Sequence, residues 1–510
     1  MAILTVPRSG PDDAASRPEP PGGAHFDVLV IGAGISGISA AHALQTQCPG
    51  KSYAILEARD SLGGTWDLFR YPGLRSDSDL YTFGFSFRPW TEDKSIADAA
   101  SILSYLRATA EEFGIDRRIR YGQRVASAAW DTSEARWTLQ VEAGQERIAY
   151  TCGFLYVCAG YYDYAGGYRP DWPGTERFAG PIVHPQAWPD DLDYSGKRVV
   201  VIGSGATAVT LVPTMARRAA HVTMLQRSPT YIVALPARDR IANWLKARLP
   251  APIAHRLARW KNIGVSILFY QFARRKPEAL TRRILGGIRE QLGPDYDVGR
   301  HFTPRYKPWD QRLCLVPDGD LFAAIRTGRA SVETDTITRF TEGGLELASG
   351  KTLPADIVVT ATGLTMKLMG GVRISVDGVA PDPAERYLYK GMMLSDVPNL
   401  ALALGYTNAS WTLKCELTAN YVCRLLRRMD RRGEAWCVPR RGTATGAEPL
   451  IGFSSGYVAR ARHLMPKQGT ASPWKLHQNY VLDLASLRYG RLDDGAMVFG
   501  GRRTDTRRAA

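Results

Sequence analysis

The sequence predicts an α/β protein with two Rossmann-like dinucleotide-binding domains and a helical insert. The segments FDVLVIGAGISGISAAHAL (26–44) and KRVVVIGSGATAVTLVPTMA (197–216) share one pattern: an apolar run, a glycine turn, then a helical pattern of small and apolar residues. Such continuously apolar strands are typical of parallel sheets buried on both faces. Each unit is followed by a second strand, at 52–59 and 221–228. Two complete βαβ units in 510 residues indicate two nucleotide-binding domains.

The first domain is expected to be discontinuous. The strands FLYVCAGYY (154–162) and ADIVVTATGL (355–364) end alike, so we expect them to bracket the second domain and to carry the chain out of the first and back. The predicted organisation begins with a disordered tail, residues 1–24, and ends with a basic tail, residues 496–510. The first domain comprises residues 25–165 and 340–495, and the second comprises residues 166–340 with the helical insert at about 235–300.

Composition and charge narrow the function classes. The chain is 45% hydrophobic and 23% charged, as in ordinary globular proteins, and its net charge of +15 suits acidic partners such as nucleotide phosphates. No zinc-finger spacing or RNA-binding aromatic pattern is present, so neither a nucleic-acid partner nor a metal site is predicted. Seven cysteines without a CxxC pair indicate reduced thiols and a cytoplasmic protein. No apolar run approaches the ~18 residues of a membrane span.

The insert consists of basic amphipathic helices. Its simplest interpretation is a helical insert with a solvated face. The alternative is contact with the inner surface of a membrane or with another subunit, because Arg and Lys flank the apolar run IGVSILFYQF (263–272).

The first glycine turn predicts a dinucleotide site. Gly32 permits the tight turn, Gly34 lets a pyrophosphate approach the backbone, and Gly37 lets helix and strand pack closely. Glu57 ends the second strand, where its carboxylate can accept hydrogen bonds from ribose hydroxyls. The following stretch, LGGTWDLFRYPGLRSDSDLY (62–81), adds a second glycine pair and suggests a longer ligand, which favours FAD over NAD.

The second glycine turn predicts a site for NADPH. Gly203, Gly205 and Ala208 form GxGxxA, in which alanine still packs at the third position. The next strand ends at Arg227 and Ser228, where an acidic residue would repel a 2′-phosphate. Because Arg227 would pair with that phosphate and Ser228 could donate to it, NADPH is favoured over NADH. A chain that holds FAD and NADPH transfers hydride between them, and no cysteine pair suits a disulfide reductase.

A connector before the second glycine turn identifies a family. Its pattern, FxGxxxHxxxWP, resembles the fingerprint of type I Baeyer–Villiger monooxygenases, and it is made by Phe178, Gly180, His184, Trp188 and Pro189. The runs GGTWDLFRYPGLRSDSD, LQRSPTYIV and PWDQRLCLVPDGDLF resemble the ethionamide-activating subgroup more closely. The likeness extends from about residue 25 to 495.

The resemblance implies specific roles. The connector would be a hinge strand in which His184 is structural, and Arg312 would be the active-site arginine. Many family members carry Lys before that arginine, whereas this chain has Gln311, so Arg227 would carry more of the selectivity for NADPH. The resemblance also implies that FAD is lined by Ser36, Thr65, Trp66, Asp67 and Leu68, and that its adenine meets Val125. The place where flavin and nicotinamide meet would be formed by Arg75, Ser76 and Asp77. The NADP pyrophosphate would be surrounded by Ser204, Gly205, Ala206, Thr207, Ala208, Val209 and Thr210.

The reaction implied by the resemblance is oxygen insertion next to a ketone carbonyl. NADPH would reduce FAD, O2 would add at the flavin C4a atom, and the resulting peroxide would convert a ketone to an ester or lactone, and would also oxidise sulfides and thioamides. We expect Arg312 to stabilise the anion and Asp77 to orient it. The pocket candidates are 263–272, Trp309 and Trp411. The alternatives are an S- or N-oxygenase and, outside enzymes, a nucleotide-binding or membrane-surface module without turnover.

Overall fold

The computed structural model describes residues 23–442 and 446–502. Its strands are β1 His25–Ile31, β2 Tyr53–Leu56, β3 Ile119–Arg120, β4 Gln123–Asp131, β5 Arg136–Ala143, β6 Glu146–Val157, β7 Ile182–Val183, β8 Arg198–Ile202, β9 His221–Gln226, β10 Ile232–Leu235, β11 Cys314–Pro317, β12 Ala330–Thr334, β13 Ile337–Thr341, β14 Gly344–Leu347, β15 Thr352–Pro354, β16 Ile357–Thr360, β17 Arg373–Val376, β18 Leu388–Tyr389, β19 Met393–Leu394, β20 Leu400–Leu402, β21 Glu434–Pro439, β22 Ala447–Pro449, β23 Lys467–Gly469 and β24 Met497–Arg502.

The α-helices of the same residues connect and cover these strands. They are α1 Ile35–Gln47, α2 Thr65–Leu68, α3 Leu80–Phe83, α4 Ala99–Glu112, α5 Ala206–Met215, α6 Arg240–Lys246, α7 Ala251–Arg275, α8 Pro277–Leu292, α9 Val298–Phe302, α10 Asp320–Arg326, α11 Trp411–Arg432, α12 Gly456–Ala461 and α13 Tyr480–Leu484.

The first sheet is a parallel Rossmann sheet with an antiparallel extension. Its parallel part has the order β3-β2-β1-β6-β20, and the meander β4-β5 leads into the first half of β6, with β17 at the outer edge. β1 is fully apolar and buried from Val28 to Ile31 because α1 and α11 cover one face, while the other face packs in a cluster with apolar residues of β4, β5 and β17. This sheet positions the first glycine turn at the carboxyl end of β1.

The second sheet is parallel, in the order β12-β9-β8-β16-β7. β8 at its centre is buried from Val199 to Ile202, and α5 and α10 pack over it. Its second glycine turn lies at the carboxyl end of β8. Together the two sheets confirm the predicted α/β fold with two dinucleotide-binding domains.

Two predicted boundaries differ from the structure. The return to the first domain, expected near residue 340, lies after Thr360, because β16 hydrogen bonds to β8 in the second sheet. Residues 497–502, expected to belong to the basic tail, instead form β24, which pairs antiparallel with β21 and sets Phe499 opposite Cys437. The tail from 503 and the predicted N-terminal tail through residue 22 lie outside the described residues.

The helical insert, expected at about 235–300, consists of four helices. Helices α6 to α9 occupy residues 240–302, and α7 is the longest at 25 residues. Arg259 anchors α7 to α11 through a buried ion pair with Glu416 at 2.6 Å, and it also donates to the carbonyls of Tyr81 and Gly84. One side of α7 is therefore fixed firmly to the first domain.

Two further features concern thiols and hydropathy. All seven cysteines are free and buried. Across residues 23–442 and 446–502, each helix is too short or too polar to cross a bilayer.

Candidate active site

The first glycine turn has the space that a dinucleotide pyrophosphate needs. Gly32 adopts a φ of +100°, and a Cβ there would lie 2.9 Å from the carbonyl oxygen of Cys158. A Cβ on Gly37 would overlap the carbonyl oxygen of Gly32, so helix and strand pack at backbone distance. Gly34 begins α1, and no side chain of the described residues caps the free N–H groups of this helix. An anion at that terminus would be stabilised by those groups.

A second glycine pair, Gly63 and Gly64, faces the first glycine turn. A Cβ on Gly64 would lie 3.3 Å from the Cα of Gly34, so the two turns form one narrow cradle. Beside it, the buried carboxylate of Glu57 accepts from the backbone N–H groups of Ala33 at 2.7 Å and Arg59 at 2.9 Å, with lone pairs left for ribose hydroxyls. Burial raises the pKa of Glu57, against those hydrogen bonds. These residues fit the FAD predicted from sequence.

Residues 65–68 form the short helix α2 next to this cradle. Thr65 shares a 3.1 Å hydrogen bond with the hydroxyl of Tyr164, and Trp66 meets the ring of Phe83 edge-on. Asp67 is buried, which disfavours its charge, but hydrogen bonds from Ser61 and Arg59 keep its pKa below the usual value. The carboxylate of Asp67 is thus already bound by donors of the protein itself. Val125 lies on β4 at a bulge opposite Val141.

Helix α11 meets the flavin-side turn through a short polar chain. The indole Nε1 of Trp411 donates to the hydroxyl of Ser36 at 2.9 Å, and that hydroxyl lies 3.3 Å from the thiol of Cys415. Ser36, predicted at the FAD site, therefore links the first turn of α1 to the first turn of α11.

The second glycine turn repeats the geometry of the first. Gly203 adopts a φ of +127°, and a Cβ there would lie 2.4 Å from the carbonyl oxygen of Ala361. Gly205 begins α5 with open space around it and, among the described residues, no side-chain cap. Ser204 bonds to the hydroxyl of Thr230 at 2.9 Å, and Ala208 is fully buried. The turn fits a second dinucleotide.

Arg227 and Ser228 are both exposed where β9 ends. Within 23–442 and 446–502, no carboxylate lies within ion-pair distance of Arg227. Both side chains are thus available to a phosphate group at the place the sequence predicts.

The connector is ordered by packing. Phe178 is buried against Phe340, and a Cβ on Gly180 would overlap the carbonyl oxygen of Asp356. His184 Nε2 donates to the carbonyl of Gly363 at 3.2 Å, since its Nδ1 accepts from the backbone N–H of Gln186. Burial lowers the pKa of His184. A neutral histidine that holds β7 to the turn after β16 fits the structural role implied by the family resemblance.

Arg312 and Asp77 meet between the two domains. Asp77 belongs to the first domain, whereas Arg312 lies two residues before β11 of the second, and Nη2 of Arg312 is 2.9 Å from Oδ2 of Asp77. Arg75, from the same loop, pairs with both oxygens of Asp320 at the start of α10. Ser76 is buried and bonds within its own turn. Of the three predicted loop residues, Asp77 is the one that contacts the predicted arginine.

Three tyrosines surround this pair, and the sequence analysis missed them. Asp77 raises the pKa of Arg312 above its ordinary value against the effect of burial, and Tyr161, Tyr162 and Tyr457 raise it further. Burial raises the pKa of Tyr161 to about 12, so its phenol stays protonated as a donor. The rings of Tyr161 and Tyr162 meet edge-on at 4.7 Å. The repeat of tyrosine at 161, 162 and 164 was the available signal.

Trp309 lies beside Arg312 in a strained conformation. Its φ of +69° is rare for a bulky residue, and such a residue costs about 1–3 kcal/mol. Its buried indole nitrogen has no hydrogen-bond partner among the described residues. A donor of this kind is available to a bound molecule.

A narrow cavity of about 40 Å³ adjoins the tyrosine cluster. Its walls include Tyr161, Tyr406 and the buried pair of Lys414 and Asp483, whose charged atoms are 2.8 Å apart. A second, larger cavity, of about 420 Å³, shares four wall residues with the first: Met366, Leu450, Ile451 and Met465. An apolar partition therefore separates two adjoining spaces.

Two dinucleotide cradles, with an arginine where their domains meet, define a two-domain protein that can hold a flavin and a nicotinamide dinucleotide together. The model of the flavin-binding monooxygenase-like family matches residues 26–244. The chain is 54% identical to the FAD-containing monooxygenase EthA of Mycobacterium tuberculosis over 94% of its own length and 98% of that protein. It is 50% identical to the putative FAD-containing monooxygenase MymA of the same species, covering 94% and 99%. This chain belongs to the FAD-containing monooxygenase family, which confirms the predicted enzyme class.

Solved structures share the fold. A steroid monooxygenase bound to NADP matches with a TM-score of 0.73 and 24% identity, over 93% of this chain and 99% of that one. The open structure of cyclohexanone monooxygenase matches with a TM-score of 0.72 and 20% identity, over 94% and 100%.

Proposed function

We propose that this enzyme uses NADPH and O2 to insert one oxygen atom next to a ketone carbonyl, giving an ester or lactone, while the second oxygen atom leaves as water. The observation that carries the proposal is the ion pair of Arg312 and Asp77 at 2.9 Å, held between the two dinucleotide cradles. FAD, reduced by NADPH, supplies activated oxygen when bound. The exposed Arg227 and Ser228 support NADPH as the electron donor.

Arg312 is suited to a negative oxygen. Guanidinium stays charged at any working pH and donates in a fixed fork, so it can stabilise the charge that develops on the carbonyl oxygen during insertion. Asp77 orients that fork. Tyr161 is a further donor, because its raised pKa keeps the proton on the phenol.

The cavity beside Tyr161, together with the larger cavity that adjoins it, is the proposed substrate site. The walls beside Tyr161 are mainly apolar, and their polar groups bond to one another, since Asp483 accepts from Tyr406 at 2.7 Å and pairs with Lys414 at 2.8 Å. Such a lining would exclude water from the reacting carbonyl. The ring centroids of Trp411 and Tyr161 are 5.1 Å apart, and Trp411 closes the side of the cavity that faces Ser36. Sulfides and thioamides are the alternative substrates, since oxidation at sulfur needs no carbonyl polarisation.

The test is Arg312→Ala, assayed for separate steps. Anaerobic reduction of the flavin by NADPH should proceed, whereas ester formation should fall by about 10²–10³ because one oxyanion donor is lost. Arg274→Ala is the matched control, since Arg274 pairs with Asp310 at the same 2.9 Å distance on the surface. Ester formation by R312A at the wild-type rate would remove Arg312 from the mechanism.

A ketone and a thioether assayed side by side separate the two substrate classes. Ester formation from the ketone, lost in R312A, supports oxygen insertion next to a carbonyl. Wild-type enzyme that oxidises only the thioether, equally well with or without Arg312, would support the alternative instead.

A further inference from the structure

Helix α7 carries a row of exposed apolar side chains on the side opposite its buried face. They recur at intervals of three, four or eight residues and thus share one side of the helix. We call this row the apolar stripe: Ile253, Leu257, Trp260, Leu268 and Phe272. The other side is buried through Ala258 and Ile263 among others, and Leu268 is 71% exposed. A merely solvated helix would carry polar groups here, so the stripe needs an explanation.

Exposed apolar residues of neighbouring helices extend the stripe. Helix α6 packs against α7 and exposes Ile241 and Trp244. On the other flank, Tyr480 at the start of α13 contacts the ring of Trp260 at 5.8 Å, and Val481 and Leu482 follow it at the surface. Single exposed apolar residues are normal, but adjoining ones on three helices mark an interaction surface.

The surroundings of the stripe are strongly basic. Residues 238–292 contain thirteen Lys and Arg and three Asp and Glu, a net charge of +10 out of +15 for the whole chain. Arg256 and Arg275 are exposed on α7, and Arg248 lies over the ring of Trp244 at 4.7 Å. Basic side chains and tryptophan next to an apolar face suit the boundary between lipid headgroups and acyl chains.

We propose that the apolar stripe docks this enzyme on the surface of an anionic lipid bilayer, with α7 lying in the plane of the membrane. The stripe runs along one side of α7 from Ile253 to Phe272, a length of about 28 Å at a rise of 1.5 Å per residue. A second copy of the chain is a poorer partner, because a symmetric contact would bring two basic segments together, each of net charge +10, of which ion pairs with Asp93, Glu416 and Asp310 offset only three charges. Anionic headgroups complement that charge.

The inner side of α7 connects the stripe to the proposed substrate site. Ile263 packs against Tyr406 and Leu413, and Tyr406 lines the cavity beside Tyr161. One helix, about 10 Å thick, therefore separates the docking surface from the cavity wall. Docking is a separate property from the proposed oxygenation, and it can be tested without a substrate.

The test is co-sedimentation of purified full-length protein with vesicles. Wild-type protein should bind vesicles of phosphatidylcholine and phosphatidylglycerol, bind phosphatidylcholine alone at least about tenfold more weakly, and lose affinity as salt is added. The double variant Leu257→Ser/Leu268→Ser should bind at least about tenfold more weakly because apolar burial is lost. Arg256→Glu/Arg275→Glu should weaken binding to the anionic vesicles selectively.

Two control variants match the two kinds of substitution in this test. Val379→Ser removes an exposed apolar side chain far from the insert, and Arg147→Glu/Arg373→Glu makes the same charge change on strands of the first domain. Circular dichroism verifies that each variant is folded. Wild-type protein that fails to bind anionic vesicles, or stripe variants that bind like wild type, would overturn the proposal. A dimer that the stripe variants dissociate, without vesicle binding, would assign the stripe to a second copy.

Discussion

Single residues of the site were predictable to different degrees. The glycines at 32, 34, 203 and 205 could be predicted because a tight turn before a helix leaves a pattern in the sequence. Arg312 and Asp77 came from the family resemblance, and the structure brings them to 2.9 Å. Trp309, three residues before Arg312, was accessible to sequence reasoning as a pocket candidate. Tyr457 was not predictable as a neighbour of Arg312, because it lies on α12, far away along the chain, and no local spacing records such a contact.

Gly32→Ala should prevent flavin binding. Alanine is strained at a φ of +100°, and its Cβ would lie 2.9 Å from the carbonyl oxygen of Cys158. The ratio of flavin to protein absorbance in purified protein should therefore fall by at least about tenfold. Gly343→Ala is the matched control, since it has open space and an unrestricted φ. Full flavin content in G32A would show that this turn does not hold the cofactor.

His42→Phe should reduce the acid sensitivity of the fold. His42 stacks on Phe87 at 3.5 Å, and burial lowers its pKa from 6.5 to about 4. Because the unfolded chain binds this proton and the folded one does not, the free energy of unfolding falls as pH drops from 6.5 to 4. Phenylalanine keeps the stacking and removes the titratable group. The slope of the free energy of unfolding against pH should therefore decrease by up to ~1.4 kcal/mol per pH unit.

The measurement for His42 is urea unfolding at a series of pH values. The substitution H463F, at an exposed histidine, provides the comparison. An equal decrease of the slope in both variants would contradict the assignment of this effect to His42.

At the scale of elements, one buried ion pair joins the insert to the first domain. Arg259 on α7 and Glu416 on α11 are both buried and 2.6 Å apart. Arg259→Ala leaves an unpaired buried carboxylate and should lower the free energy of unfolding by about 3–5 kcal/mol. Denaturant unfolding followed by circular dichroism measures this, with Arg339→Ala, from an exposed pair, expected to lose under ~1 kcal/mol. Equal losses would mean that the pair does not fix α7.

The elements also show where sequence patterns stop being informative. β1, α1, β8 and α5 were predictable because each is a long apolar run with one period. The strands β16 and β6 look alike in sequence, yet one pairs in the second sheet and the other in the first, since pairing depends on contacts between distant segments. Similarly, the sequence assigns β24 to the basic tail because an arginine-rich run follows it, but β21 supplies its hydrogen bonds.

At the scale of the whole molecule, one loop joins the two domains. Gly73 lies against α5, where a Cβ would overlap the Thr214 side chain, and Tyr71 bonds to Thr207 of the same helix. Arg75 and Asp77 continue the contact through Asp320 and Arg312. The loop of residues 69–79 thus sets how the two cofactor cradles face each other.

Asp320→Asn should loosen that arrangement without removing either cradle. The Arg75–Asp320 pair is mostly buried, so its loss should raise the hydrogen peroxide released per NADPH consumed by about two- to tenfold. Peroxide and product measured in the same reaction give this ratio. Arg300→Ala, which breaks a pair inside the second domain, is the control. An unchanged ratio in D320N would mean that the loop does not govern coupling.

An enzyme that activates oxygen must also survive the oxidants it releases, and the placement of its sulfur atoms bears on this. Burial raises the pKa of Cys314, two residues from Arg312, and of Cys415 to about 12, so neither offers a thiolate to an oxidant. With every thiol inside the fold, self-inactivation during turnover should begin at exposed aromatic side chains such as Trp244 and Trp260 instead. Thiol reductants in the buffer would then do little to prolong its working life.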